Sequence, residues 1–432
     1  MPDAKRNLAE LFSLLVEPNL PVNLVMYDGS GFENEGAVGT IHVRSPKALR
    51  YIATAPSELG LVRAYVTGEI EIEGDLHGTL VALLNNFRGE IPWGELAAAV
   101  RPWMLRRPEL PAEEGAARWQ RGIRSHTPGR DAKAISHHYD VSNGFYGMFL
   151  GPSMTYSCAV FTSDDASLEQ AQAEKIDLIC RKLGLKQGQS LLDIGAGWGA
   201  LVRHAAANYG VRATGVTLSR EQAAWAQERI ATEGLADLAE VRFQDYRDVR
   251  ESGFDAISSV GAMEHIGSRQ LGHHFRSMSR LLRPQGRMLN HTITRTSSLQ
   301  RHRAGPFIDR YIFPDGELQS PAKVASEMID GGFELRHEEN LREHYGKTLA
   351  AWVANLERGW DQAVAEVGER RARVWRLYMT ISQVGFERNM IQLHQFLGVN
   401  TTADGRAGMP LRPDWGETLA ERGPRGESGA RR

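Results

Sequence analysis

The order of apolar and polar positions changes character near residue 131. Beyond that point, stretches with a helical period alternate with compact apolar runs, among them SLLDIG, RATGVTL and FDAISSV. Short apolar runs between helical stretches are typical of strand-helix-strand units that build a mostly parallel sheet. The pattern therefore predicts an α/β domain over 131–400.

The part of the chain before this domain has a different pattern. Between about Pro21 and Asn86, short apolar runs alternate with Gly-rich turns, as in LVMYDGSGFENEGAVGTIHV and AYVTGEIEIEGDL, which predicts short strands and hairpins. We expect a small α+β domain over 1–100 and a basic, proline-interrupted linker over 101–130. Few large apolar residues occur over 401–432, which predicts a disordered tail.

Composition restricts the class of protein. The chain of 432 residues is too long for one ordinary domain, and its 42% apolar and 24% charged residues are typical of a globular protein. It contains neither a run of about 18 apolar residues nor a signal-peptide pattern. The only cysteines are Cys158 and Cys180, which exclude a disulfide framework. These features predict a cytoplasmic protein.

The formal net charge of −2 argues against nucleic-acid binding. This average conceals one local excess of positive charge. Within 101–130, seven arginines and three glutamates are interleaved with Trp103, Met104, Leu105 and Trp119. Guanidinium groups pair with lipid phosphates, and indole rings lie at the level of the headgroups. The stretch is either a peripheral contact with the inner face of the membrane or a solvated linker.

The segment LLDIGAGWGALVRHAA joins an apolar strand to a helical pattern through a glycine loop. Asp193 lies at the strand end, followed by Gly195, Ala196, Gly197 and Gly199. Glycines allow a sharp turn against a ligand, and ligands of open α/β sheets bind beyond the carboxyl ends of the strands. The spacing differs from the dinucleotide fingerprint GxGxxG and is similar to the first motif of class I S-adenosylmethionine methyltransferases. A nucleotide-binding oxidoreductase and a plain tight turn are the alternatives.

The next two strand ends bear on those alternatives. TGVTLSREQ places Thr217, Leu218 and Gln222 where a dehydrogenase needs an acidic residue for the ribose hydroxyls. The absence of an acid weakens the dehydrogenase interpretation, and these residues are predicted to contact the cofactor. In VRFQDYRDV, Asp245 and Tyr246 follow a third strand, where an acid accepts from an adenine amine and a ring stacks. The alternative for this pair is a surface turn.

Seven segments in a fixed order over about 260 residues identify a family. They are HHYDVSNGFYGMFLGPSMTYSCAVF, DIGAGWG, TLSREQ, VGAMEHIG, NHTI, RYIFPDGEL and HYGKTL. Together they resemble the cyclopropane-fatty-acyl-phospholipid synthase and mycolic-acid methyltransferase family. The resemblance implies a Rossmann-like class I methyltransferase fold with S-adenosylmethionine as cosubstrate. The small N-terminal domain is similar to that of the phospholipid-acting synthases, which implies unsaturated phospholipid acyl chains as the acceptor.

The chemistry of this family explains the residue types that the resemblance marks as catalytic. An alkene is a poor nucleophile, so methyl transfer needs a dry, aligned site and leaves a carbocation on the acyl chain. The resemblance implies a bound bicarbonate ion that removes a proton, and Tyr156 and Ser157 that close over the cofactor. The bicarbonate is implied to be held by four side chains, Cys158, Glu264, His291 and Tyr345.

Other interpretations stay open. Cys158 taken alone suits a small buried apolar side chain, and Glu264 an ordinary polar strand end. His137, His138 and His265 lack a second clustered set of ligands, and the chemistry needs no metal, so we predict no metal site. The competing function classes are a catalytically inactive lipid-binding module and a C-methyltransferase that acts on a small molecule or natural product.

The C-terminal part departs from the family pattern. Many members carry a cysteine in a motif like GCAxxFRxG, where this chain reads TISQVGFERNMIQLHQFLGV with Ser382 near that position, so a covalent role for that cysteine is excluded. The ending is similar to the actinobacterial branch that makes 10-methylene and then 10-methyl, tuberculostearate-type acyl chains. We therefore predict a methylene product, with cyclopropane closure as the alternative. A separate flavin- or nicotinamide-dependent reductase follows as a partner, and the resemblance implies a homodimer.

Overall fold

The described residues of the computed structural model divide into two compact units. The structure describes 7–87, 102–114, 142–299, 305–314 and 316–422. The N-terminal unit contains the described residues of 1–121 together with Gly305–Pro314 and Trp360–Val384, and the large unit contains the others. Two segments that the sequence placed within one domain over 131–400 thus belong to the N-terminal unit. A linear pattern locates elements along the chain, but it does not show which elements pack together.

The N-terminal unit contains a four-stranded mixed sheet in the order β2-β1-β3-β4, with β1 and β3 parallel. Its strands are β1 Asn23–Met26, β2 Gly31–Phe32, β3 Gly39–Val43 and β4 Ile70–Gly74. Its first helices are α1 Leu8–Ser13, α2 Pro46–Thr54, α3 Glu58–Val66 and α4 Leu76–Asn86. The predicted short strands are present. The start of AYVTGEIEIEGDL is helical instead, because Ser57 caps α3 and the helix continues through Val66.

Buried ion pairs join the later segments to the N-terminal unit. Glu114 accepts two hydrogen bonds from Arg63, at 2.6 and 2.7 Å, and a third from Arg310 at 2.8 Å. Arg373, which is buried, pairs with Glu71 on β4. Because breaking a buried ion pair leaves an uncompensated charge, these contacts hold 305–314 and 360–384 to the N-terminal fold.

The large unit is built on a seven-stranded sheet in the order β10-β11-β9-β8-β5-β6-β7. The strands are β5 Ser190–Ile194, β6 Arg212–Thr217, β7 Ala239–Phe243, β8 Phe254–Val260, β9 Leu282–Arg295, β10 Glu334–Asn340 and β11 Ile391–Val399. Strands β5 to β9 are parallel, whereas β11 pairs antiparallel with both β9 and β10. The sheet is mostly parallel, as the alternating pattern predicts.

Helices cover both faces of this sheet. They are α5 Asn143–Leu150, α6 Leu168–Leu183, α7 Ala200–Tyr209, α8 Arg220–Thr232, α9 Leu271–Leu281, α10 Pro321–Asp330 and α11 Arg342–Arg358. The next two helices, α12 Trp360–Val367 and α13 Glu369–Glu387, belong to the N-terminal unit up to Val384, and the short helix α14 Leu419–Arg422 belongs to the large unit. Adjacent residues Leu191 and Leu192 on β5 enter two different apolar cores, one on each face. Among the described residues, no helix is long and apolar enough to span a bilayer.

The segment 401–422 is ordered, contrary to the predicted disordered tail. Met409 and Trp415 pack against the core on the α6 face of the sheet. The guanidinium of Arg181 donates to the carbonyl of Trp415 at 2.6 Å, and the backbone N–H of Leu419 donates to Glu174 Oε2 at 2.7 Å. Two apolar anchors and two hydrogen bonds suffice for order here, although composition indicated a mobile tail. The remainder, 423–432, lies outside the described residues.

Candidate active site

A cavity opens where the direction of strand order reverses, because β5 lies between β6 on one side and β8 on the other. The carboxyl ends of parallel strands at such a reversal form the usual ligand crevice of open α/β sheets. Ten of the residues predicted to bind the cofactor line this cavity: Tyr156, Ser157, Asp193, Gly195, Ala196, Gly197, Thr217, Leu218, Gln222 and Tyr246. Gly199 and Asp245 do not line it.

The glycine loop after β5 is held tightly against β6. The backbone N–H groups of Gly195 and Ala196 both donate to the carbonyl of Val216, at 3.0 Å each. Gly195 has φ +73°, and a Cβ there would lie 2.9 Å from Ala262 Cβ. Only glycine fits this turn. Gly199 has a packing role instead, since a Cβ there would press against α8 and β7 at 3.1 Å.

The loop after β6 orients a polar side chain into the cavity. Thr217 Oγ1 donates to Gln222 Oε1 at 2.8 Å, and the Ser219 side chain caps α8 by accepting from the Gln222 N–H. Both Thr217 and Gln222 are buried. The carboxamide of Gln222 is therefore fixed in position by its own loop, as a cofactor contact requires.

The loop after β7 differs in part from the prediction. The carboxylate of Asp245 is engaged by the Arg247 side chain at 2.9 and 2.6 Å. Tyr246 and Arg247 line the cavity, and the Tyr246 ring meets the edge of His274 at 5.1 Å between centroids. The structure therefore brings the predicted stacking ring to the cavity, while the acid is neutralised beside it.

Asp193 at the end of β5 is buried among apolar strands. Its Oδ1 accepts from Ser258 Oγ on β8 at 2.7 Å. Burial raises the pKa of Asp193 to about 7, and the Ser258 hydrogen bond and the Lys175 charge oppose that rise. With this pKa, the carboxyl group titrates near neutral pH.

Lys175 on α6 is a cavity residue that sequence reasoning missed. It is 2% exposed, lines the cavity, and donates from Nζ to Ser157 Oγ at 2.7 Å. Burial lowers the pKa of Lys175 to about 8, and Cys158 and Asp193 act in the opposite direction. A signal existed in the sequence: Lys175 falls on the same helical stripe as Ile179, four residues later, where apolar residues are expected.

An aromatic cluster connects the cofactor cavity to the predicted catalytic tyrosine. The Trp352 ring on α11 lies 5.3 Å from that of Tyr156 and 6.1 Å from that of Tyr345, between centroids. Tyr345 also packs on Phe386 at 4.5 Å. Ring faces of this kind stabilise positive charge, so the cluster suits a site in which a cation develops.

Glu264 is placed beside the strand that carries His291. It lies in the short 3₁₀ turn Met263–His265 after β8, and its Oε1 accepts from the backbone N–H of Ile293 on β9 at 2.7 Å. Burial raises the pKa of Glu264. Its Oε2 is buried and has no hydrogen-bond partner among the residues that the structure describes. A buried carboxyl oxygen without a partner is costly unless a ligand supplies one.

His291 shows the same feature. Its ring is 1% exposed, Nδ1 contacts Gln395 Nε2 at 3.2 Å, and Nε2 has no partner within the described part of the chain. Burial lowers the pKa of His291 well below its usual range, and the charges of Lys175 and Lys182 act in the same direction. His291 is therefore a neutral imidazole at physiological pH.

Cys158 is completely buried. Its Sγ lies 3.1 Å from the carbonyl oxygen of Ala159 and 3.8 Å from the carbonyl oxygen of Leu341. The backbone N–H of Tyr345 donates to the same Leu341 carbonyl at 3.2 Å. Burial raises the pKa of Cys158, so it is a neutral thiol. The four predicted catalytic residues thus form two pairs, Cys158 with the helix of Tyr345 and Glu264 with the strand of His291.

Some predicted features lie elsewhere. His137 and His138 are outside the described residues, and His265 lines the cofactor cavity. Within the described ranges, no group of three or more His, Cys, Asp or Glu side chains is arranged to hold a metal ion. Ser382 is a half-buried residue on α13.

The fold and the glycine loop at the strand reversal define a class I S-adenosylmethionine-dependent methyltransferase. Residues 126–396 match the family described as mycolic acid cyclopropane synthetase. The chain is 45% identical over 426 residues to the "Probable fatty acid methyltransferase Rv3720" of Mycobacterium tuberculosis. The alignment covers 96% of this chain and 100% of that protein. The chain belongs to this family.

Other relatives agree with this assignment. The cyclopropane-fatty-acyl-phospholipid synthase of Escherichia coli K12 is 39% identical over 259 residues, 60% of this chain and 65% of that protein. The solved structure of the cyclopropane synthase MmaA2 from Mycobacterium tuberculosis has a TM-score of 0.60 and 35% identity, covering 63% of this chain and 99% of that one. That of CmaA1, complexed with SAH and CTAB, has a TM-score of 0.59 and 36% identity, covering 62% and 98%. The predicted family, fold class and enzyme class are confirmed.

Proposed function

We propose that the protein methylates a double bond in an unsaturated acyl chain of a membrane phospholipid. The product is an acyl chain with a 10-methylene group. The observation that carries the proposal is the pair of buried polar atoms, Glu264 Oε2 and His291 Nε2, that lack partners among the described residues of a methyltransferase. Glu264 accepts from the N–H of Ile293, two residues beyond His291 on β9, and two such atoms fit a small anion. We infer that this anion is bicarbonate and that it accepts the proton released by the reaction.

The names of the relatives support a lipid acceptor. A fatty acid methyltransferase aligns with nearly the whole chain, and a phospholipid synthase aligns with 60% of it. The rings of Tyr156, Trp352 and Tyr345 beside the cofactor cavity also suit an acyl chain better than a polar small molecule. These features disfavour both a small-molecule acceptor and an inactive lipid-binding module.

Different residues of the chain contribute to different steps of the proposed reaction. S-adenosylmethionine, when bound, supplies the sulfonium methyl group, so that the carbon-sulfur bond breaks as a new carbon-carbon bond forms. The Tyr345 and Trp352 rings stabilise the acyl carbocation through their faces. A hydride shifts to the cationic carbon, and the new methyl group loses a proton, giving the exocyclic methylene. Bicarbonate, which Cys158, Glu264, His291 and Tyr345 would hold, would supply the base for this proton. Burial raises the pKa of Glu264 and so favours the protonated form that donates to the anion, and the neutral Cys158 thiol does not repel the anion.

Cyclopropane closure is the alternative outcome of the same cation. It differs only in that the methyl group loses its proton before any hydride shift, and the new carbon closes a ring. The Escherichia coli relative bears the name of such a synthase, which favours this candidate. The methylene product instead needs a separate hydride-donating reductase to become a methyl branch, and we propose such an enzyme as the next in sequence. The homodimer stays a prediction.

Lipid analysis tests the proposed function. We expect expression in a bacterium with monounsaturated phospholipids to add the mass of one CH2 group to acyl chains, measured by lipid mass spectrometry. Proton NMR then separates the products, because cyclopropane ring protons lie far upfield and vinylidene protons far downfield. Cells carrying the empty vector are the control. Acyl chains of unchanged mass would contradict the lipid acceptor, and upfield ring protons would assign the cyclopropane product.

We also propose that the basic stretch contacts an anionic membrane surface. In its described part, Arg106 and Arg107 are exposed beside Leu105, which is 58% exposed, whereas Trp119, Arg121 and Arg124 lie outside the described residues. Changing Arg106 and Arg107 together to Ser is expected to weaken binding to anionic vesicles by about 2 kcal/mol, or roughly thirtyfold, in a sedimentation assay at low salt.

The matched control for this surface is the double change of Arg370 and Arg371 to Ser. It removes the same charge from the α13 helix and is expected to leave vesicle binding nearly unchanged. Equal losses in the two double variants would indicate attraction by net charge alone. Unchanged binding in the Arg106 and Arg107 variant would identify the stretch as a solvated linker.

A further inference from the structure

A chain of three buried polar side chains ends at His291. Gln395 on β11 lies directly opposite His291 on β9 in the antiparallel register. Lys182, near the end of α6, donates from Nζ to Gln395 Oε1 at 2.7 Å, and Gln395 Nε2 lies 3.2 Å from His291 Nδ1. Lys182 is 0% exposed, and the other two side chains are 1% exposed. We call these three residues the Lys182 relay.

The relay has a direction that follows from its chemistry. An ammonium group only donates, so the Gln395 carboxamide must turn its oxygen toward Lys182. Its nitrogen then faces His291 and donates, which requires Nδ1 to be an acceptor without a proton. A neutral imidazole with a bare Nδ1 carries its proton on Nε2. The lysine therefore determines the tautomer of a histidine it does not touch.

The surroundings of Lys182 keep it charged in this role. Glu339 on β10 forms an ion pair with its ammonium group, and the Trp415 ring of the C-terminal segment lies 5.9 Å from Nζ. Burial lowers the pKa of Lys182, while Glu339 opposes that effect. A buried lysine paired with a carboxylate and an aromatic face is an oriented donor, and the ordered tail helps to cover it.

We propose that Lys182 and Gln395 are positioning residues that hold His291 as an Nε2–H donor, aimed at the anion in the active site. This inference rests on the proposed function, since it assigns His291 the task of binding the anion. It has a chemical consequence: with its proton on Nε2 and its Nδ1 occupied, His291 has no lone pair free to remove a proton. The proton released from the acyl cation therefore goes to the anion and not to His291.

The change Gln395→Glu tests the relay. A carboxylate at this position accepts from Lys182 with one oxygen and from His291 with the other, so the imidazole proton moves to Nδ1. We expect the ¹⁵N chemical shifts of the His291 ring to show protonated Nε2 in the wild-type enzyme and protonated Nδ1 in the variant. Methyl transfer to lipid is expected to fall roughly a hundredfold, as for other side chains that set the tautomer of a catalytic histidine, with S-adenosylhomocysteine affinity unchanged.

Two controls accompany this variant. Gln392→Glu introduces the same charge three residues away on β11, where the side chain bonds Asn389 at 2.8 Å, and it is expected to change neither the tautomer nor turnover. Lys182→Met keeps an unbranched side chain that is one heavy atom shorter and removes the donor, so that the Gln395 amide is free to flip. A mixture of His291 tautomers is expected, with partial loss of turnover.

The outcomes separate the relay from the proposed function. Protonated Nδ1 in the wild-type ring would overturn the relay. If the His291 tautomer switches in Gln395→Glu and turnover does not change, the Lys182 relay has no role in catalysis. If the wild-type enzyme transfers no methyl group to lipid, the proposed function fails, whereas the wild-type and variant ring shifts still decide whether the relay sets the tautomer. Thermal unfolding of each variant checks that it is folded.

Discussion

Glu264→Gln is expected to lower methyl transfer to lipid roughly a thousandfold, within the range for impaired acid-base catalysis, because the anion proposed as the base loses one of the groups that hold it. The carboxamide oxygen still accepts from the Ile293 N–H, as Glu264 Oε1 does at 2.7 Å, so the local fold is preserved. The change affects the second oxygen, which is buried without a described partner. An amide there can neither gain nor release a proton, and it alters how the anion is held.

Binding and turnover must be measured separately for this variant. Isothermal titration with S-adenosylhomocysteine is expected to give the wild-type affinity, because Glu264 is not among the residues that line the cofactor cavity. Single-turnover methyl transfer to vesicles of unsaturated phospholipid measures the chemical step. Glu317→Gln is the matched control, since Glu317 is also buried but its Oε2 accepts from the Ser268 N–H at 2.7 Å. Wild-type turnover in Glu264→Gln would dismiss the proposed anion site.

Trp352→Ala is expected to destabilise the large unit by about 3–5 kcal/mol, the usual cost of removing a buried aromatic side chain. Trp352 is 1% exposed and packs against the rings of Phe149, Tyr156 and Tyr345. Its removal leaves a cavity between the ring that lines the cofactor site and the predicted catalytic tyrosine. Loss of stability should therefore be accompanied by loss of turnover, even under conditions where the variant is folded.

Amide hydrogen exchange along α11 measures this local stability better than a global melting temperature, because the chain has two units. Trp352→Phe is expected to cost much less, since the indole N–H has no hydrogen-bond partner among the described residues. Trp225→Ala on α8 is the control, because that half-buried ring stacks on Arg229 at the surface. A cost below about 1 kcal/mol for Trp352→Ala would show that the cluster repacks without it.

The sequence did not predict the roles of polar residues that lie within apolar patterns. Lys175, Lys182 and Gln395 each occupy a position that faces the core. A charged residue on a helical stripe or a glutamine in a strand of IQLHQFLGV indicates burial, but not which partner offsets its cost. Lys182 and Gln395 are 213 positions apart, and only the packing of α6 against the sheet brings them together.

The sequence by itself determined the local features of this protein. The apolar periods predicted the parallel strands, the alternating glycines predicted the turn after β5, and the ordered motifs identified the family. These features depend on residues a few positions apart, so they can be interpreted without a fold. The tertiary structure decided which distant side chains meet: Lys182 with Gln395, an ordered C-terminal segment over Lys182, and the segments 305–314 and 360–384 in the N-terminal unit. Burial and pairing depend on the whole packed chain, and they set the charge of each site residue and the tautomer of His291.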